Sequence, residues 1–545
     1  MLIRRLFVLS SIILVVLSVS GQVDRMPAYP LVTHDPYFSI WSFSDTLHQS
    51  VTRHWSGTEH SLTGSIRVDG QAYNFLGKPE WPAVPVLRTG ADEPYATLYQ
   101  EQDPGKDWAQ PDFVDATWKK GLAPFGKGWD EDPATSWTSS ALWVRRHFEF
   151  SQLQLEEVLR ETCVLQLRHD DDVEVFLNGE PLYSCSNCYV GRLKEYVLTD
   201  AQKSFFRKGK NVLALHVINR AGWSWLDAGL AIKPRVEAGL PAQQLSREVT
   251  ATSTSYRFRC GPVLVSLQFT SPLLPQQLNV LSRPVTYLQW SAASADEKAH
   301  VIDVDIEASH DLVRNRPNQA VQSLTGTKGP LLYTQTGTHE QPILKTKGDD
   351  VRIDWGYLYL ATASAHSEFA SVTAGGSHLQ AAASSPGLQT SDLPFTGLHF
   401  KQATVKTKPV SATVLIGYDD INSLQYFGKP LKAWWALTSR TIAQELQDAW
   451  QDRNTILDQC KRFDDSLYRE ALKAGGKTYA QLCSMVFRQS IAAHKLSKSP
   501  EGDLLFLSKE NFSNGSINTV DVTYPSAPLY LYYNPDLLKG MLNGI

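Results

Sequence analysis

The sequence predicts a multidomain β + α protein that is β-rich over most of its length and α-helical at its C-terminal end. Three observations predict it. At 545 residues the chain exceeds a single domain of ordinary size. Short alternating or β-branched runs recur from residue 31 to residue 416, separated by Gly, Pro and Asn turns. Past about Leu424 the apolar spacing changes to that of a helix. Hydrophobic residues at 42% and charged residues at 20% exclude long disorder, collagen and a polytopic membrane protein. The 52 basic against 56 acidic side chains leave a net charge of -4, so no nucleic-acid partner is expected.

The elements follow in chain order. Arg4 and Arg5 precede an apolar run over residues 6–19, and Ser18, Ser20 and Gly21 close it. Residues 1–21 therefore read as a secretory signal peptide, too short to span a membrane comfortably. The mature chain is expected to be periplasmic or secreted, with no stable membrane insertion after cleavage. Residues 22–104 form a first β part, with strand-like runs at 37–41 and 65–68. Residues 105–237 form a self-contained β block with strands at 142–150, 164–168, 173–177 and 211–217. Asn178-Gly179 is its strongest hairpin signal, and the strand spacing is that of a sandwich or jelly roll. Residues 238–423 continue the β pattern with runs at 265–269, 285–290 and 301–306. Residues 424–545 are helical. Thr441 caps a helix toward Arg462, a second starts at Asp464 or Asp465, and Gly475-Gly476 stops it. A third runs from Thr478 toward Leu496, with Tyr479, Leu482, Cys483, Val486, Ser490 and Ala493 on one stripe.

Several motifs fail their own chemistry. Residues 121–127 match phosphate-loop spacing, but Gly128 stands where a Mg²⁺-binding hydroxyl belongs. Cys185 and Cys188 have neither a second Cys pair nor a His pair for zinc, which leaves a local disulfide or two plain thiols. The run Asp170-Asp171-Asp172 has oxygen ligands for Ca²⁺ but reads first as a solvated turn. No cofactor and no metal are expected. The densest polar cluster spans residues 508–525. Glu510 and Asp521 supply a carboxylate pair for general acid/base work on an amide or a sugar, with Lys509 and Asn511 as ligand-orienting donors. The competing reading is a capped loop whose polar groups bond the local backbone. Trp223 and Trp225, beside Asp227, offer either a sugar-stacking face or core aromatics.

The segments His34 through Trp41, Trp55-Ser56-Gly57, Ser282 through Tyr287, Asp354 through Tyr357, Gln425 through Gly428, Ala474 through Lys477 with Tyr479, and Ser508 through Pro528 resemble the glutaminase A family. The resemblance implies an N-terminal β domain joined to a helical domain of the six-hairpin glycosidase type. It also implies hydrolysis of L-glutamine to glutamate and ammonia outside the cytoplasm. The inserted block resembles the galactose-binding-like jelly rolls that accompany family 2 glycosidases, on its Trp143-Val144-Arg145-Arg146 strand, Asp-rich turn and Phe176 through Gly179 hairpin. The expected fold is thus a β-sandwich assembled from residues 31–88 and 243–416, an inserted jelly roll, and the first part of an (α/α)6 six-hairpin barrel. Such a barrel needs more helices than residues 424–545 can supply, so the chain is expected to be an incomplete enzyme, inactive alone. A small-molecule amide is the expected substrate. Two other readings stand beside it: a glycoside hydrolase acting on a saccharide, and a non-catalytic carbohydrate-binding protein.

Overall fold

The computed structural model describes residues 25–545, apart from 81–82, 128–132, 235–238, 317–318, 347, 349, 364–369, 375–394, 511 and 513–514. The fold is multidomain and mostly β, and its largest part is a sandwich. One sheet has eight antiparallel strands in the order Gln243–Val249, Ser253–Cys260, Val263–Thr270, Val285–Ser294, Val410–Asp419, Tyr357–Ala363, Leu331–Thr338 and Val321–Lys328. The facing sheet orders Leu240–Pro241, Gln71–Leu76, Leu62–Val68, His300–Ser309, Phe395–Val405 and Ala370–Ala374. Period-two alternation sets which side chains meet: Tyr256, Phe258 and Cys260 are buried while Arg257 and Arg259 point outward. Ile66, Phe75, Val304 and Phe400 from one sheet share a core with Phe258, Leu267, Trp290 and Val414 from the other. The register pairs Ile66 with Val304, so chain from before the insert is woven into chain from after it.

The insert has its own core, with Leu142, Val144, Leu165, Leu167, Val175 and Leu213 between two sheets. Its hairpin turn is the two-residue kind, with φ of 54° at Asn178 and 88° at Gly179. Asn178 is more than a turn former. Its amide donates to Phe205 O and Asn211 Oδ1 and accepts from Val212 N. The insert's strands begin at Val84, upstream of the expected residue 105. Val84–Leu87 pairs with Ser224–Lys233, and Tyr95–Gln100 pairs with Ala141–Phe150. The first of these strands falls in the span expected for the sandwich, residues 31–88, and belongs to the insert instead. Residues 121–127 carry the strands Lys119–Ala123 and Phe125–Lys127. Asp172 of the acidic run accepts from Asn187 N and pairs with Arg220. Cys185 and Cys188 are joined as a disulfide.

The helical part departs from the expected three helices. Thr441 does cap, in a reciprocal capping box with Gln444, and Gly476 does interrupt, with φ of 80°. Between them, however, the helix Ile442–Ala492 runs straight through Asp464. Asp464 starts no helix because its carboxylate is spent on the sandwich, accepting from Thr250 Oγ1, Thr252 Oγ1 and Thr252 N. The chain also turns to strand sooner than expected, with His494–Lys498 pairing with Leu504–Ser508. The expected apolar stripe is displaced as well. Tyr479, Leu482 and Val486 are exposed, while Ala480, Ser484, Phe487, Arg488 and Ile491 face inward. Arg488 drives this, because its guanidinium donates to Thr33 Oγ1, Thr254 Oγ1 and Leu31 O inside the sandwich. Two further helices follow, Val520–Tyr533 and Pro535–Leu542. Among the described residues these elements do not display a six-hairpin barrel.

Candidate functional site

The site lies where the sandwich meets the helical part. The turn after Tyr29–Val32 is built on Asp35, whose Oδ1 accepts from Tyr37 N at 2.8 Å and Phe38 N at 3.2 Å. His54 Nε2 holds the same turn from the other side, 3.0 Å from Pro36 O. Asp35 Oδ2 then meets Lys495 Nζ from the strand His494–Lys498. Lys495 is shared with Asp420, 2.7 Å away, at the end of the strand Val410–Asp419. Ser423 Oγ donates to Asp420 Oδ2 at 2.6 Å, and Trp355 Nε1 donates to Asp420 O at 2.8 Å. The fourth charged member is Lys509, which follows the strand Leu504–Ser508. Its Nζ donates to Ser423 O and lies 3.7 Å from the Tyr37 ring centroid.

All four charged side chains are buried, and for Asp35, Lys495 and Lys509 burial and pairing set the titration. Burial pushes the Asp35 carboxyl up, but Lys495, then Lys509, bring it down to about 2. Burial works against the Lys495 ammonium, and Asp35 and Asp420 more than compensate, so it stays charged far above neutrality. Lys509 has no such partner. Burial pushes its ammonium down to about 7, with Asp35 only partly opposing. His34 and His54 are held neutral mainly by burial, at about 3 and about 4. The cluster is therefore a fixed Asp–Lys–Asp triad with one lysine poised to lose its proton near neutral pH.

The residues expected from sequence fall into three places. Lys509 joins the triad, but at 3% exposure its ammonium is committed to Ser423 O and the Tyr37 ring. Glu510 is half-buried, and its N–H donates to Ser516 O at 2.8 Å, closing the loop. Asp521 is exposed in the first turn of Val520–Tyr533. Asn511 lies outside the described residues. In the insert, Trp225 is buried beneath Arg168, whose guanidinium carbon is 4.2 Å from the ring centroid. That withdraws Trp225 from the expected stacking face, while Trp223 stays 46% exposed. Asp227 is spent on the backbone, accepting from Gly90 N and Ala91 N.

Sequence reading passed over Asp35, Asp420 and Lys495 as site residues. The Asp35-Pro36 turn signal was available, but partners hundreds of residues apart leave no local trace. A second hub was missed likewise. Asp350 accepts from Ser56 Oγ, from Thr58 Oγ1 at 2.6 Å, and pairs with Arg192 of the insert at 2.7 Å. Its N–H donates to Phe512 O, so insert, sandwich and the 508–519 loop meet there. Beside the triad, a cavity of about 20 Å³ touches His34, His494 and Lys495. That is room for one water, against the several hundred Å³ of a substrate pocket. Among the described residues no group of three or more His, Cys, Asp and Glu is placed to hold a metal. No helix among them is long and apolar enough to cross a membrane.

Fold and site together define a β-rich multidomain protein whose helical part is locked onto a sandwich by buried charges. Three family models match it in succession: a domain of unknown function, DUF4964, over residues 16–88; another, DUF5127, over 252–470; and the glutaminase A six helical-hairpin domain over 476–545. Together with the relatives below, these matches support a glutaminase A family member. Glutaminase A of Aspergillus oryzae is 28% identical over 344 residues, covering 60% of this chain and 48% of that protein. A protein of Arthroderma benhamiae named "Probable glutaminase" is 38% identical over 81 residues, 15% of this chain and 9% of that one. The chain thus spans about half the length of the Aspergillus relative. Among solved structures, a glycosyl hydrolase family 2 member from Bacteroides cellulosilyticus is 12% identical with a TM-score of 0.22, covering 51% of this chain and 34% of that one. Likeness at that level carries no argument about fold or function.

Proposed function

We propose that this chain is part of an exported, glutaminase A-like hydrolase that converts L-glutamine to glutamate and ammonia. One observation carries the reading: the glutaminase A hairpin-domain match falls on residues 476–545, the segment that holds Lys509, Glu510 and Asp521. In this reading one carboxylate of the Glu510 and Asp521 pair takes a proton from water as it attacks the amide carbon. The other, entering the step as the protonated carboxylic acid, delivers its proton to the departing nitrogen as the C–N bond breaks. The proton taken from water restores the starting state once it passes back. The buried triad holds the strand His494–Lys498, which pairs with the strand Leu504–Ser508 from which this loop springs.

We further propose that the helical part is the opening of a six-hairpin barrel and needs more helices to be active. Tyr479, Leu482 and Val486 on the long helix, with Tyr524, Leu531 and Tyr532 on the next, leave apolar side chains in water that packed helices would cover. The test joins the corresponding remainder of the Aspergillus oryzae helical domain to this chain and measures ammonia release from L-glutamine beside reducing-sugar release from glycans. Ammonia release is expected, lowered about 10²–10⁴-fold by Glu510→Gln or Asp521→Asn. Sugar release without ammonia favours the glycosidase reading. Monodisperse residues 22–545 with glutaminase activity of their own overturn the missing helices.

A further inference from the structure

The small cavity beside the triad is lined by Thr33, His34, Ser282, His494, Lys495 and Phe506, among others. Two of these side chains have an unfinished hydrogen-bond count. His494 is 5% exposed, and its Nδ1 lies 2.7 Å from Ser490 O. A carbonyl only accepts, so Nδ1 carries the ring proton. The His494 ring is neutral, held by burial at about 4, and its Nε2 is a bare lone pair. That Nε2 is buried with no protein partner.

His34 is the complement. Thr33 N donates to Ser271 Oγ, which lies 2.8 Å from Thr286 Oγ1, which lies 2.9 Å from His34 Nδ1. Every proton in that row is placed if Ser271 donates to Thr286 and Thr286 donates to His34 Nδ1. The proton of the neutral His34 ring then sits on Nε2, which is likewise buried and without a protein partner. Both residues line one cavity, and their unpartnered Nε2 atoms are complementary, an N–H from the sandwich and a lone pair from the helical part.

We infer that a single water molecule occupies this cavity, accepting from His34 Nε2 and donating to His494 Nε2. Its size fits, since the cavity volume is that of about one water. An ammonium ion has no lone pair to accept the His34 proton, so it does not match the pair. Neutral ammonia does match in chemistry, and the experiment separates it. The water makes two rings from opposite ends of the chain depend on each other across the junction.

The test is a high-resolution crystal structure of the unaltered chain, grown and kept in ammonium-free solution. One density peak within about 3.2 Å of both Nε2 atoms is expected. No peak there, or either Nε2 bonded to a protein group, overturns the assignment. In solution, His34→Phe, His494→Phe and the double variant are compared by unfolding equilibrium. Bridged rings make the two effects non-additive by about fivefold or more in the unfolding constant, and additivity within about twofold overturns the coupling. If the variants do not fold, the density decides alone.

Discussion

Replacing Lys509 by Met separates the charge of this lysine from its packing. The methionine keeps an apolar stem against Tyr37 but carries no proton to titrate. In the wild type, burial lowers the ammonium from its ordinary 10.5 to about 7, while the unfolded chain keeps the ordinary value. Between those values the unfolded state binds a proton that the folded state does not, so stability rises with pH from about 7 toward 10.5. Below 7 the folded protein carries the full cost of a buried, weakly partnered ammonium. The gap between the two values sets that cost at no more than roughly 5 kcal/mol. Against it, the variant loses the donation to Ser423 O and leaves a buried carbonyl short of a donor, which costs about 1–3 kcal/mol. The two stability curves should therefore cross. Lys509→Met is expected to be the more stable protein at pH 6 and the less stable at pH 10. Urea titrations at pH 6, 7, 8, 9 and 10 read this directly. A wild-type-minus-variant difference that is flat within about 0.5 kcal/mol across that range would sink the argument.

Three other outcomes follow from the same geometry. Burial pushes the Asp464 carboxyl up to about 6, so wild-type stability should fall by up to roughly 3 kcal/mol as pH rises from about 4 to about 6, and Asp464→Asn should flatten that slope in urea titrations. Asp35→Asn should cost about 3–5 kcal/mol because Lys495 is left with one carboxylate in a buried site; a loss under about 1 kcal/mol in thermal or urea unfolding would mean the triad is not structural. Trp223→Ala should leave stability within about 0.5 kcal/mol while abolishing any response to mono- and oligosaccharides. No response by the wild type at millimolar concentration ends the saccharide reading.

What could be read from the sequence was what local chemistry decides. Asn178-Gly179 had to turn because the pair tolerates positive φ, and Thr441 with Gln444 had to cap because the two satisfy each other within one turn. Gly476 had to break the helix for the same backbone reason. Misreadings came where a charged side chain finds its partner across the fold. Asp464 looks like a cap, and Arg488 looks like the solvent side of a helix, until Thr250, Thr252 and Thr254 arrive from the sandwich. With Arg488 inside, the helix face rotates, and Tyr479, Leu482 and Val486 are turned out. Of the candidate site, the loop over residues 508–525 was visible as a polar cluster, and Lys509 was singled out within it. The Asp35–Lys495 pair spans 460 positions, and no periodicity carries that information.

The polar character of the junction has its own consequence. An apolar face between sandwich and helix would tolerate sliding by a turn, since hydrophobic contact is non-directional. Here the helical part enters the sandwich through Asp464, Arg488 and Lys495, each met by N–H groups, hydroxyls, carbonyls or carboxylates fixed at different turns and strands of the sandwich. Any shift in register leaves at least one of these groups buried and unpaired, at a cost of several kcal/mol. The apolar contacts of Ile442, Leu446, Ala449 and Ile456 against Val285, Tyr287 and Leu415 supply adhesion, and the charges supply position. The same logic extends to the insert, which reaches the 508–519 loop through Arg192 and Asp350 rather than through a greasy seam. A loop that carries Glu510 is thereby held from the strand beneath it by Lys495 and Lys509 and from the side by Asp350, before any further helix packs against it.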